Sequence, residues 1–311
     1  MPNAREIRSH IESIRETKKI TNAMYLISST KLRKAKREWD QTRPYFEALR
    51  GEVKRIFRTS QDVESRYFFP PEGEPPIKGT YGCLVITADK GLAGAYNQNV
   101  IREAQRLRAD HPDMKFFVVG EYGRQFFMRH RIPIERSFLY TAQNPTMQRA
   151  REISAELLER FDRGELKKIF LVYTDIRNSL TETVRSTRLL PFHRSTFATP
   201  PEEAHVSETF EFLPSITEVL DRIVPSYVSG FIYSALIDSF CCEQNARMSA
   251  MYTANENADK MLSRLALEYN RVRQAAITRE ITEVAAGARA QSQRRARAKL
   301  ENSETSIKES R

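Results

Sequence analysis

The stretch FIYSALIDSFCCEQNARMSAMYT, residues 231–253, has the hydrophobic spacing of one long helix. Small and apolar residues recur in it at alternating steps of three and four, the period of a packed helix face. These residues are Ile232, Ala235, Ser239, Cys242, Ala246, Ser249 and Thr253. Because most of their side chains are small, this seam predicts the close approach of a second helix. The helical pattern extends over residues 212–288, a length that favours a coiled coil over an ordinary bundle.

Two further patterns complete the helical part of the prediction. A second run (Leu262, Leu265, Tyr269, Val272, Ala276) is out of phase with the first, as across a coiled-coil stutter. Residues 1–58 also have a helical period, with Pro44 as a predicted kink or break. A helix of that length spans ~85 Å, too long to pack on one globular core. We therefore expect residues 1–58 to pair with another helix.

The middle of the chain has a different periodicity. Residues 80–197 alternate apolar strands with amphipathic helices, which predicts a mostly parallel sheet covered by helices. Segments rich in proline and polar residues at 59–79 and 198–211 are predicted linkers. Residues 289–311 form a basic extension, in which we expect the last helix to pass Gly287 and end near Glu301. The predicted fold class is thus α/β, with long terminal helices around a central sheet domain.

Charge is concentrated at the two ends of the chain. The 311 residues have a formal net charge of +10. Residues 1–58 hold 15 Lys/Arg and 7 Asp/Glu, and residues 289–311 hold 7 and 3, whereas the intervening residues hold 28 and 30. Basic ends favour an acidic partner, which can be nucleic acid, anionic lipid or an acidic protein.

Several classes of function are disfavoured by what the residue patterns lack. The 3 cysteines form no CxxC motif, which suits a reducing compartment, and the 5 histidines have no metal-ligand spacing. No run of ~18 apolar residues predicts a bilayer span. The Gly91–Gly94 turn between strand and helix resembles a phosphate loop only in position, so a tight turn is the simpler interpretation. We expect no catalytic residue, cofactor or metal in this chain.

Motifs at three places together resemble the gamma subunits of F-type rotary ATP synthases. They are TNAM (21–24) and STKLRKA (29–35), DKGLAG (89–94) with Asn97, and EQNARMSAM (243–251) with YNRVRQAAITREITE (269–283). Their order and spacing agree with that family over about residues 3–288. The last motif is the most specific, whereas the glycine turn alone is weak.

The resemblance implies a fold and a mechanism. The terminal helices would wind as an antiparallel coiled coil beside a Rossmann-like sheet domain. This shaft would stand in the head of alpha and beta subunits, with its foot on the membrane c-ring and the epsilon subunit. Ion flow would turn the shaft, which would drive ATP synthesis or hydrolysis in the beta subunits. The complex would lie at the cytoplasmic face of the inner (plasma) membrane, and this chain would contact no nucleic acid and insert into no membrane.

The resemblance also implies which residues contact the head. Met24, Lys31, Arg33 and Lys34 would face acidic levers of the catalytic subunits, and Arg247 would lie near them. Further contacts with loops of the head would come from the last motif, through Arg273, Gln274, Thr278 and Glu280.

The sequence departs from the family in three places. Asn22 stands where lysine is frequent, Ala95 stands where glycine is common, and 24 residues follow Gly287, near which members usually end. Two alternatives remain open at this point. One is a coiled-coil scaffold whose basic ends bind nucleic acid or an acidic protein, and the other is a nucleotide-dependent enzyme that uses the Gly91–Gly94 turn.

Overall fold

The computed structural model has two long helices at its ends and alternating strands and helices between them. It describes residues 4–59, 65–68, 79–178, 181–192, 212–213 and 215–308. The elements are α1 (Ala4–Thr59), β1 (Thr80–Ile86), α2 (Tyr96–Asp110), β2 (Lys115–Val119), α3 (Glu121–Arg129), β3 (Ile134–Phe138), α4 (Met147–Asp162), β4 (Leu166–Asn178), β5 (Thr181–Leu190) and α5 (Ile216–Lys308).

The chain divides into two compact units. One combines the residues up to Ala23 with those from Tyr252 onward, and the other spans Met24–Met251. In the first unit, Lys18 pairs with Asp259, and Thr21 donates a hydrogen bond to Asn255. The residue number increases along α1 while the number of its partner in α5 decreases, so the two helices are antiparallel. By this register the first residue of α1, Ala4, lies opposite about Arg273 of α5.

Burial in the first unit follows the predicted second run. Leu262, Leu265, Tyr269 and Val272 are half-buried, whereas Ala276 is exposed. Ile7 of α1 and Ala258 of α5 are the buried apolar residues of this two-helix pairing within the described chain. The change at Ala276 is consistent with the register, because Ala276 lies past the position opposite Ala4, the first described residue of α1.

The second unit contains a five-stranded sheet in the order β3-β2-β1-β4-β5. All neighbours pair in parallel except β4 and β5, which are antiparallel, so the prediction of a mostly parallel α/β sheet is confirmed. Successive residues of β1 pack into two different hydrophobic cores, because side chains of a strand alternate between the two faces of the sheet. Cys83 and Val85 face the core with α2 and α3, whereas Leu84 and Ile86 face the core with α4, α5 and part of α1.

Helix α5 is buried on two faces within this unit. Toward α1, Gly230 approaches Phe46 so closely that a Cβ atom on the glycine would lie 2.3 Å from the ring. Toward the sheet, the Thr174 amide donates to Ser239 Oγ (3.3 Å), and Cys242 Sγ donates to the Thr174 carbonyl (3.8 Å). A helix apolar on both sides is expected between two packed layers.

The small-residue seam has a different neighbour from the one that the sequence predicts. Ser239 and Cys242 contact β4, and Ala246 packs with Ala88, Ala93 and Tyr96 near the glycine turn. The seam therefore admits the sheet domain, whereas the approach to α1 uses Gly230 and its neighbours. For Ser239, Cys242 and Ala246 the expectation of a helix against this seam is wrong, because periodicity reports a buried face without identifying what covers it.

Three features differ from the expectations. Pro44 does not break α1, and α5 passes Gly287 and Glu301 to Lys308 through residues that include no proline. Within the predicted linker 59–79, Tyr67 and Phe68 are buried, with the Tyr67 ring stacked 6.3 Å from that of Phe161. The predicted linker 198–211 lies outside the described residues.

One stretch of α5 is long and apolar enough by composition to cross a membrane, contrary to the expectation that no run reaches that threshold. Most of this stretch is buried inside the protein. Its apolar side chains face the sheet and α1, which is the pattern of a core helix in a layered domain.

We expect Ala246→Leu to destabilise the chain, because the larger side chain would overpack the contact with Ala88, Ala93 and Tyr96. Overpacking of this kind costs about 1–3 kcal/mol. Ala266→Leu is the matched control, since Ala266 is an exposed position of the same helix. Chemical unfolding of both purified variants tests the prediction, and equal stability of Ala246→Leu and the wild type would contradict it.

Candidate functional site

The basic residues of α1 form the first candidate surface. Lys31, Arg33 and Lys34 are exposed, and Met24 is half-buried. Lys34 lies 3.7 Å from Glu38 in an exposed ion pair one helical turn away, an interaction that contributes little in water. These cations therefore present positive charge to solvent, as an acidic partner surface requires.

The glycine turn after β1 is held by side-chain caps on both sides. Asn97 Oδ1 accepts a hydrogen bond from the Ala88 amide (2.9 Å). The Asp89 carboxylate accepts from the amides of Glu121 (3.0 Å) and Gln143 (3.2 Å), which fixes the turn to α3 and to the segment before α4. This capping role of Asp89 was not predicted, although its place shortly after a buried strand is a usable sequence signal.

Two residues of this turn adopt left-handed backbone conformations. Gly94 has φ +55°, in agreement with the tight-turn interpretation, but the second such residue is Leu92 (φ +60°), which is no glycine. A side chain in this region is strained and persists where the surroundings hold it. Leu92 is 66% exposed. The turn thus displays an apolar side chain to solvent from a fixed backbone.

Arg247 of α5 holds the other side of the turn. Its Nη1 donates to Glu243 Oε1 (2.6 Å), and its Nη2 donates to the carbonyl oxygens of Lys90 and Gly91 (3.1 Å each). We call this arrangement of Glu243, Arg247, Lys90 and Gly91 the clasp. The Arg247 and Glu243 side chains are only 9% and 7% exposed. Two carbonyl oxygens of the glycine turn therefore already accept hydrogen bonds from α5.

Electrostatics around Glu243 link the clasp to the basic residues of α1. Burial raises the pKa of the Glu243 carboxyl above its ordinary value, and the Asp89 charge raises it further. The Arg247 guanidinium and, more weakly, the Lys31 ammonium lower it. Two of the predicted contact residues, Lys31 and Arg247, thus act on the same buried carboxyl. Sequence reasoning missed Glu243, although an opposite charge four residues before Arg247 within an apolar stretch is a recognisable signal.

The remaining predicted contacts lie along α5 in the first unit. Arg273, Gln274, Thr278 and Glu280 are all exposed, and Thr278 Oγ1 donates to the Gln274 carbonyl (2.9 Å). The same segment exposes large apolar residues at steps of four and three, namely Ile277, Ile281 (64%) and Val284 (72%). We call residues 273–284 the upper segment. This exposed apolar stripe of α5, past the position opposite Ala4, is typical of a surface that another protein covers.

Comparison with known proteins identifies the family. Residues 3–291 match the family described as ATP synthase. The ATP synthase gamma chain of Caldanaerobacter subterraneus subsp. tengcongensis is 42% identical over 293 residues, which cover 91% of this chain and 98% of the relative. The chain belongs to the ATP synthase gamma-chain family. The gamma chain of Ruminiclostridium cellulolyticum is 38% identical over 291 residues, with 93% and 98% coverage.

A structural comparison agrees with the fold of this gamma-chain family. In the mitochondrial ATP synthase assembly of Euglena gracilis that contains the F1 head and c-ring, one chain matches with a TM-score of 0.64. That match is 16% identical and covers 92% of this chain and 94% of the other. The alternative of a nucleic-acid scaffold is not supported. This chain is a subunit of a membrane-associated ATP synthase.

We expect Arg247→Ala to destabilise this gamma chain strongly, because it leaves the buried Glu243 carboxylate without its cationic partner and frees the glycine turn. Breaking a buried ion pair in this way costs about 3–5 kcal/mol. Arg273→Ala is the control, since Arg273 is exposed and such surface changes stay within about 0.5 kcal/mol. Denaturant unfolding distinguishes the two, and equal stability of the two variants would remove the clasp from the account.

Proposed function

We infer that the chain is the central rotor shaft of an F-type ATP synthase. It couples ion flow through the membrane c-ring to ATP synthesis or hydrolysis in the head of alpha and beta subunits. The observation that carries this inference is family membership over residues 3–291, nearly the whole chain. The antiparallel pairing of α1 and α5 supports it, because a paired helix is stiffer than a single one.

We propose that the chain itself is non-catalytic and acts through its surfaces. Lys31, Arg33 and Lys34 would face acidic groups of the catalytic subunits, with Met24 beside them. The upper segment would lie within the head, where neighbouring loops bind the exposed polar groups of Arg273, Gln274, Thr278 and Glu280. The apolar stripe of the upper segment supports this placement, because burial against the head would remove it from water.

Arg247 has a more specific role in this proposal. Since its side chain is buried in the clasp, it would act on the partner contact by fixing the turn that carries Leu92. The exposed Leu92 and the basic residues of α1 would then be the groups that touch the head. Arg247 is in this sense a positioning residue.

The foot and the cellular location complete the proposal. The c-ring and the epsilon subunit would bind the part of the chain that stands outside the head, and the complex would lie at the cytoplasmic face of the membrane. The 3 cysteines support this location, because all are buried and free, as is usual in a reducing compartment. Partner recognition through these surfaces requires no cofactor, nucleic acid or membrane insertion by this chain.

The double variant Gln274→Ala/Thr278→Ala tests the contact of the upper segment with the head. Each lost hydrogen bond is worth about 0.5–1.5 kcal/mol net, so we expect coupled ATP turnover of the assembled complex to fall about tenfold. Asn257→Ala/Ser263→Ala is the matched control, because these exposed polar residues lie on the paired part of α5. Unchanged turnover and ion coupling in the first variant would exclude Gln274 and Thr278 from the site.

The proposed function as a whole is tested by isolation of the complex. The tagged chain should co-purify with alpha and beta subunits and with ATPase activity. If it co-purifies with nucleic acid in a salt-sensitive manner and without these subunits, the rotor function is wrong.

A further inference from the structure

Helix α5 continues past the part of the chain that matches the family. The family match ends at residue 291, whereas α5 ends at Lys308. The curated gamma chains reported above are matched over 98% of their own length but cover only 91% and 93% of this chain. The helical segment after residue 291 therefore lies beyond the family match. We call residues 288–308 the extension.

The extension follows a part of α5 that is exposed among the described residues. By the register of Lys18 with Asp259, the first described residue of α1, Ala4, lies opposite about Arg273, and every residue from Arg273 to Arg294 is exposed. From Gly287 to Lys308 the helix rises a further ~30 Å. A single helix of this kind gains little stability from its own backbone in water, so its persistence favours a surface that binds it.

Charge identifies the kind of surface. Residues 289–300 contain five cations (Arg289, Arg294, Arg295, Arg297 and Lys299) and no Asp or Glu. In the sequence, Arg295 and Lys299 are four residues apart, and Arg294 and Arg297 are three apart. Like charges at these helical spacings repel one another and destabilise a lone helix. An anionic surface alongside would reverse that effect, whereas an apolar sleeve would have to bury unpaired charge.

We propose that residues 289–300 are a docking helix for an acidic protein surface of the ATP synthase head, at the end of the cavity that holds the upper segment. This proposal rests on the rotor function inferred above. Continuity favours the head over other anions: Arg289 follows Val284 by only five residues, or ~8 Å of helix, so the head that covers Val284 also lies nearest to Arg289.

A rotating shaft gives this contact a consequence. The carboxylates of a ring of subunits are fixed, whereas the docking helix turns with the shaft. Attraction between them would favour some shaft orientations over others and would slow ATP hydrolysis as a brake. Because Arg289 and Arg294 are exposed to solvent, salt would weaken the brake.

The experiment compares ATP hydrolysis by the assembled complex at about 20 mM and about 300 mM salt, a range over which screening becomes strong. One variant ends after Gly287. A second keeps the full length but replaces Arg289, Arg294, Arg295, Arg297 and Lys299 with glutamine. The matched control ends after Leu300, which removes the polar end and retains the cationic segment.

We expect the wild type and the control to hydrolyse ATP at least about twofold more slowly at low salt than at high salt, because salt screens the attraction and releases the brake. The two variants that lack the cations should run at the fast rate at both salt concentrations. The same salt dependence in all four proteins would overturn the proposal. Failure of both cation-lacking variants to assemble would overturn it too, since the segment would then be a structural part of the shaft.

Two further measurements separate this proposal from its alternatives. The first measures whether the wild-type complex binds duplex DNA or phosphatidylglycerol vesicles and whether the glutamine variant loses that binding. If it does, and if the salt dependence of ATP hydrolysis is the same in both proteins, the segment binds another anion and the head contact is contradicted. Co-purification of every variant with alpha and beta subunits reports on the rotor function independently. That function stands if the subunits co-purify, even when the docking helix proves wrong.

Discussion

The simultaneous burial of α5 on two faces is the constraint on which the rest of the second unit depends. Phe46 of α1 lies against Gly230, and β4 lies against Ser239 and Cys242. Both approaches are close: a Cβ atom on Gly230 would clash with the Phe46 ring, and the Thr174 backbone bonds the side chains of Ser239 and Cys242. One helix thereby fixes both the position of α1 and that of the sheet within this unit.

The clasp extends the same constraint to the glycine turn. Arg247 lies one turn beyond Glu243 and reaches the carbonyl groups of Lys90 and Gly91. Separation of the turn from α5 would leave the buried Arg247 guanidinium without the carbonyl acceptors of Lys90 and Gly91, which costs free energy. A shaft that transmits torque needs such connections, since slack between its elements would dissipate the motion. The clasp is therefore both a stability element and a positioning element for the exposed Leu92.

Much of the architecture could be predicted from the sequence, because long periodic helices and alternating buried strands are strong local signals. The neighbours of those elements were harder to predict. The spacing of Ser239, Cys242 and Ala246 identified a packed face, but a sheet and a helix can both cover small residues. Tyr67 also shows this limit, since a short aromatic run just before a pair of prolines has no periodicity that reveals its burial.

The contact residues were predicted from family motifs, and they differ in their exposure to solvent in the structure. Lys31 and Gln274 are exposed, as a partner surface requires, whereas Arg247 is buried among groups that are distant in sequence. No local pattern could reveal that its partners include the carbonyl groups of Lys90 and Gly91. The helical end at Lys308 was also missed, because the polar residues after Glu301 favour an early end but do not require one.

The central claim is that this chain rotates as a shaft within the head, and the most direct test is to watch it turn. Arg151→Cys places one reactive thiol on the exposed surface of α4, because the native cysteines are buried. A bead attached there, on head complexes fixed to glass by the beta subunits, should rotate continuously in one direction when ATP is added. A bead that only fluctuates about one orientation, while the same complexes hydrolyse ATP at the full rate, would contradict the account.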